Sequence, residues 1–227
     1  MANSIFEKAF AYTKDGFLGS WMRWLLLLIC VFIQSITFSL VPLFNGYLLR
    51  VAGTNESAPD VNGWVKLFID GWKVFIVELI YMIPVIILAF VFGFMALIPE
   101  MMVVTSGGTP NLELLFGMVV GLAIVFLVSI LITLFLFMGL VRLGQTGKLG
   151  EAFNFGAINE AINTGVGWLG YIGYCILLWI IIIIYAIVIG LLSIIPIVGF
   201  ILGLIVTPLV SVFAVSYLRN IYNAGKN

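Results

Sequence analysis

Histidine is missing from this chain of 227 residues. Imidazole metal ligands and histidine acid–base chemistry are therefore excluded. Charge is scarce: Asp, Glu, Lys and Arg make up 9% of the residues, against about 25% in soluble domains. Lys plus Arg equals Asp plus Glu at ten each, which removes any general attraction to nucleic acid. The only cysteines, Cys30 and Cys175, both fall in apolar runs. They read as small buried hydrophobes and not as a disulfide framework. No phosphate loop, nucleophile elbow, zinc spacing or paired-carboxylate motif is visible. The chain reads as a non-enzyme without a cofactor.

Apolar sequence is abundant, at 63% of the residues. A water-soluble fold could not hide that much, so lipid is the expected solvent. Apolar runs lie at about 24–49, 73–99, 112–141, 166–195 and 197–218. A helix needs about 20 apolar residues to cross a bilayer core of about 30 Å. The first run is too long for a signal-peptide core, and no Ala-x-Ala site follows it. It is expected to remain as a permanent membrane element.

The ten basic residues are Lys8, Lys14, Arg23, Arg50, Lys66, Lys73, Arg142, Lys148, Arg219 and Lys226. None lies between Glu100 and Asn111 or between Ser193 and Phe200, the other two separators of apolar runs. Basic residues mark the cytoplasmic side. If the first run crosses, the ten divide three to seven. If it dips in and returns, all ten are cytoplasmic. Its second half carries Gln34, Ser35, Thr37, Ser39, Pro42 and Asn45, a natural place for a break. The expected fold is an all-α integral membrane domain, residues 1–227. It has four transmembrane helices, one N-terminal re-entrant hairpin and both termini cytoplasmic. A single tilted span with a proline kink is the alternative for the first run.

Three amphipathic segments precede the membrane hairpins. Ile5, Phe6, Ala9 and Phe10 oppose Glu7, Lys8 and Lys14; Trp64, Val65, Phe68, Ile69 and Trp72 oppose Lys66, Asp70 and Lys73. Ala152, Phe155, Ile158 and Ile162 oppose Glu151, Asn154, Glu160 and Asn163. Helices of this kind lie in the membrane interface, and the tryptophans beside them form an aromatic belt. Each hairpin closes on an arginine, Arg50, Arg142 or Arg219, with Gly53, Gly144 or Gly225 shortly after. Units 1–53, 54–148 and 149–227 thus suggest a threefold internal repeat. The same pattern arises wherever helices end in cytoplasm.

Pro42-Leu-Phe-Asn45-Gly46-Tyr47-Leu-Leu-Arg50, followed by Trp64, Phe68, Asp70, Gly71, Tyr81 and Pro84, resembles the domain-of-unknown-function family 4013. These are polytopic membrane proteins found mostly in archaea and in some bacteria. Glu151-Ala152-Phe153 and Ile158 fit the same family. The resemblance extends over nearly the whole chain, and its first block is the most specific part. It implies a short first hairpin and no established activity. A weaker likeness, at the level of fold, is to sulfate-permease membrane domains with half-penetrating hairpins.

Arg50, Arg142 and Arg219 are candidates for binding lipid phosphates or anions if the three units share an axis; otherwise they are separate anchors. Glu78, the one acidic residue well inside an apolar run, since Glu113 lies at the very start of its own, is expected to pair with Arg23, Arg50 or Arg142, or to serve as a coupling-ion site. Gln34 and Asn45 either line a polar cleft or cap broken half-helices. Gly117 with Gly121, and Gly199 with Gly203, have the spacing of close helix packing. Asn55-Glu-Ser57 is a glycosylation sequon that stays unmodified if it is cytoplasmic. The expected partners are membrane lipids, another membrane protein or a second copy of the chain. Two roles remain open at this point. One is a non-enzymatic scaffold, membrane-shaping protein or accessory subunit of the cell membrane; the other is a channel or transporter for a small anionic solute.

Overall fold

The computed structural model describes residues 2–54, 57–109 and 111–225. The sequon residues Asn55 and Glu56 lie outside these. Every regular element among the described residues is helical. In order they are α1 (Ala2–Leu18), α2 (Trp21–Ile36), α3 (Leu43–Gly53), α4 (Trp64–Ala89), α5 (Met95–Thr105), α6 (Leu112–Thr146), α7 (Phe155–Gly165), α8 (Gly167–Leu192) and α9 (Pro196–Tyr222). A π-helical turn, Phe90–Phe94, joins α4 to α5.

Four stretches are long and apolar enough to cross a membrane: Trp64–Thr105, Leu112–Thr146, Gly167–Leu192 and Ile197–Tyr222. Exposed isoleucines line the outward face of α8, among them Ile180, Ile183, Ile184 and Ile187, and the opposite face is apolar too, with Tyr171, Cys175 and Leu178 buried. A helix apolar on every side belongs in lipid. Pro84, Pro99 and Pro208 sit inside helices, which membrane helices tolerate because neighbouring groups satisfy the freed carbonyl.

The first apolar run is broken where its polar residues cluster. Helix α2 stops at Ile36 and α3 starts at Leu43. Between them Phe38 and Ser39 adopt left-handed backbone, at φ 50° and 63°. The end of α2 is satisfied locally: Thr37 Oγ1 donates to the Ile33 carbonyl at 2.7 Å, and the Ser39 amide donates to the Gln34 carbonyl at 2.8 Å. Helices α2 and α3 then pack together, with Leu27 and Cys30 meeting Leu43, Phe44, Tyr47 and Val51 in one buried cluster.

The amphipathic segments are of two kinds. Helix α1 is separate and stands at 97° to α2, and α7 is separate too. The second segment is continuous with α4, because no turn residue interrupts the helix after Trp64. Its apolar side also faces outward: Trp64, Val65, Phe68 and Ile69 are exposed, while Leu67, Asp70, Gly71 and Val74 are buried. Lys73 donates to the buried Asp70 carboxylate at 3.0 Å, which offsets the cost of placing that charge inside.

The chain divides into two compact units. The first takes the residues up to Phe75 and from Phe137 on; the second is Ile76–Leu136. In the first unit α1, α3 and α8 each pack on α9. A Cβ at Gly46 would collide with the Leu67 carbonyl, and one at Gly71 with the Pro42 carbonyl, so α3 and α4 touch backbone to backbone. In the second unit Gly121 packs against the Phe92 ring, whereas Gly117 has open space beside it. That pair therefore contributes one contact glycine and not two. Gly199 lies against the backbone of Ser193 in the tight α8–α9 turn, and Gly203 lies 3.6 Å from Ile189 for an added Cβ.

Candidate functional site

The polar groups of the first unit gather near the ends of its helices. Arg23, in the first turn of α2, donates to the Gly16 carbonyl at 2.7 Å and pairs with Asp60 at 3.0 Å. Asp60 follows α3 in the chain. The Tyr47 hydroxyl donates to the Pro59 carbonyl at 3.1 Å, and Gly16 abuts Ala58. The two ends of the α2–α3 segment are thereby held against each other. At its opposite end Phe38 is 91% exposed and Leu40 is 66% exposed. The segment is a helical hairpin with a polar clamp at its mouth and an apolar tip.

Each closing arginine holds a neighbouring piece of chain. Arg50 donates to the carbonyls of Asn62 at 2.7 Å and Gly63 at 3.2 Å, fixing the linker that enters α4. Arg142 binds the Glu151 carboxylate and donates to the Tyr222 hydroxyl at 3.0 Å. Beside it Gln145 donates to Asn223 at 3.0 Å. Arg219 is 3% exposed. It donates to the Val51 carbonyl at 2.9 Å and to the Thr54 carbonyl, and its guanidinium lies 4.4 Å from the Tyr12 ring centre. The end of the last hairpin is thus tied to the end of the first. Backbone contacts repeat the pattern: a Cβ on Gly144 would meet the Leu49 carbonyl at 2.7 Å, and one on Gly225 would meet the Gly165 amide at 2.8 Å.

The electrostatics follow from these contacts. The Arg142 hydrogen bond holds the Glu151 carboxyl below the usual carboxylate range. Burial pushes the Tyr12 phenol up, and the Arg219 charge beside it pulls the other way.

The sequence candidates fare differently. Arg50, Arg142 and Arg219 belong to one collar of the first unit, each engaged with protein groups. Gln34 and Asn45 are brought together: Gln34 Nε2 donates to Asn45 Oδ1 at 3.0 Å, and the Asn45 amide donates to Gln34 Oε1 at 3.2 Å. They bridge the two arms just inside the tip. Glu78 lies half-buried on α4 in the second unit and makes no ion pair among the described residues. Within the first unit Arg23, Arg50 and Arg142 take Asp60, the 62–63 linker and Glu151, which stand beside them at the collar. Sequence reading missed Asp60, Asn62 and Tyr222 as collar partners. Asp60 and Asn62 were signalled only by being polar within the short linker before α4; Tyr222 carried no signal.

Hydroxyls within the long helices are also engaged. Tyr185 and Thr207 share a hydrogen bond of 2.7 Å between α8 and α9. Ser129, Thr133 and Ser216 donate to carbonyls of their own helices. No group of three or more His, Cys, Asp or Glu side chains that could hold a metal occurs among the described residues.

In comparison with known proteins, the family model described as "Protein of unknown function (DUF4013)" matches residues 29–194. No curated protein and no solved structure matches the chain.

Proposed function

We propose that this chain, which belongs to the DUF4013 family, is a non-enzymatic scaffold of the cell membrane that occupies one leaflet more than the other. Four stretches cross. The α2–α3 hairpin enters from the cytoplasmic side and returns. Helix α1, about 25 Å long, and α7, about 16 Å long, lie in the cytoplasmic interface. Both termini and the arginine collar are cytoplasmic, in keeping with the bias of basic residues.

The observation that carries this reading is the clamped mouth and bare tip of the hairpin. Its arms are about 24 Å and about 16 Å long, so the shorter cannot cross a core of about 30 Å. Phe38 and Leu40 at the tip have nothing to cover them but lipid. Added volume in one leaflet without matching volume in the other favours curvature. The natural partners are lipids, with a second membrane protein or another copy of this chain meeting the exposed helix faces. The scaffold role is favoured over a solute pathway because Gln34 with Asn45, Tyr185 with Thr207, and Ser216 bond to one another or to their own backbone; Glu78 is an exception, with no ion pair among the described residues.

Reconstitution tests it. Vesicles loaded with protein should become smaller or tubular as the protein-to-lipid ratio rises, and anion flux should equal that of protein-free vesicles. Phe38→Asp, which makes the tip costly to insert, should weaken the shape change. Reproducible anion flux that disappears with Arg50→Ala would replace the scaffold with an anion channel.

A further inference from the structure

A second apolar feature lies away from the hairpin tip. Helices α1, α2, α8 and α9 enclose an open cleft of about 590 Å³, within the roughly 300–1,000 Å³ of small-molecule sites. Its walls are almost wholly apolar: Phe10 and Phe17 from α1, Trp24 from α2, and Leu209 and Phe213 from α9 are representative. Phe6, also on α1, meets Phe213 edge-on, with ring centres 5.3 Å apart, so the α1 wall is fixed against α9. The polar groups on the lining are few and mostly engaged. The Thr13 hydroxyl donates to the Ala9 carbonyl at 2.9 Å, and Trp24 Nε1 donates to the Ile205 carbonyl at 3.2 Å. The exception is Lys14, which is exposed at the lining and makes no ion pair among the described residues.

Water gains little from such walls, since an apolar cavity offers it no hydrogen-bond partners. A hydrocarbon chain gains close packing contacts along them. One cation at the edge of an apolar cleft complements a molecule with an anionic head and an apolar tail. Helix α1 stands at 97° to α2, so Lys14 lies beside the start of a membrane-entering helix, where headgroup phosphates are found. A lysine there can lay its stem along the apolar wall and direct its ammonium to the phosphate. We propose that this cleft is a binding site for one anionic phospholipid, its acyl chain between α1 and α9 and its phosphate on Lys14. Apart from Ile181, the lining residues fall outside the stretch 29–194 that matches the family.

The test uses the full chain, purified in detergent and stripped of lipid, with native mass spectrometry to count bound molecules. Phosphatidylglycerol should add one to one, and about fivefold more tightly than phosphatidylcholine; one lysine at a membrane surface contributes about that factor. Lys14→Gln should abolish the preference while neutral lipid still binds. Leu209→Trp, which fills the cleft, should lower the binding of both lipids by at least tenfold. A thermal melt of each variant within a few degrees of the parent's shows that its fold is retained; for a variant that melts lower, Val210→Phe, which narrows the same wall, takes its place. Glycerol phosphate, the headgroup without chains, should not compete. Unsaturable binding, an equal preference in Lys14→Gln, undiminished binding in the filled-cleft variant, or competition by glycerol phosphate would each overturn the site. The site uses α1, α8, α9 and the first turn of α2, and not the hairpin tip, so its failure would leave the curvature result standing, and Phe38→Asp should leave lipid binding unchanged.

Discussion

Arg219→Ala should be among the most damaging single changes in this protein. The side chain is 3% exposed and joins three segments: it donates to the Val51 and Thr54 carbonyls and stacks over Tyr12 at 4.4 Å. A hydrogen bond to a charged group is worth about 1.5–3 kcal/mol, and a partly desolvated cation–π contact about 0.5–2 kcal/mol. The carbonyls left behind gain no new donor. Allowing for the solvation the arginine regains when unfolded, the net loss is about 3–5 kcal/mol, as for other broken buried charge contacts. Lysine has no planar fork to reach both carbonyls, so Arg219→Lys should recover less than half. The assay is reversible denaturant unfolding in detergent micelles, with limited proteolysis of the 54–63 linker as a local probe. Arg219→Ala within about 0.5 kcal/mol of the parent, the range of neutral surface changes, would refute the view that this residue locks the last hairpin to the first.

The Arg142–Glu151 contact should respond to pH. Because the Glu151 carboxyl is held below its usual range, the stability it adds is fully present above about pH 4.3, the ordinary glutamate value, and is lost as pH falls through the lower folded value; Glu151→Gln should flatten that part of an acid-unfolding curve. Gly144→Val should destabilise by about 1–3 kcal/mol or more through overpacking, since even a Cβ there meets the Leu49 carbonyl at 2.7 Å and Ala52 at 2.8 Å; a thermal melt checks it. Ser39→Gly should raise stability by about 1 kcal/mol, because Ser39 holds a left-handed backbone at φ 63° that glycine adopts without strain; an unchanged or lower melting point would count against that turn geometry.

The long spans were legible because apolar runs of 20 or more residues have few alternatives in lipid. The break in the first run was legible too, since Gln34, Thr37, Ser39, Pro42 and Asn45 cluster where a continuous helix would have to bury them. In the second amphipathic segment the outward apolar side was legible and the inward side was not. Trp64, Phe68 and Trp72 do lie at helical spacing, but Leu67, Asp70 and Gly71 win the inward face, because Gly71 must sit against the Pro42 carbonyl. The arginine partners could not be read from spacing alone. Arg23 finds Asp60 and Arg219 finds Val51 across 37 and 168 positions, distances that only the packing of α3 and α9 closes. The arginines expected beside Glu78 each hold a group within their own unit, and Glu78 makes no ion pair among the described residues.

The central claim is that the first apolar run turns back inside the bilayer, so that the linker after α3 stays on the cytoplasmic side. The most direct measurement places single cysteines at Ser57 and Ser106, in a background where Cys30 and Cys175 are buried, and labels intact cells with an impermeant thiol reagent. Ser106→Cys, between α5 and α6, should be labelled, and Ser57→Cys should react only after the membrane is opened. Labelling of Ser57→Cys from outside would mean that α2–α3 crosses, and would contradict the hairpin, the placement of the collar and the one-sided scaffold together.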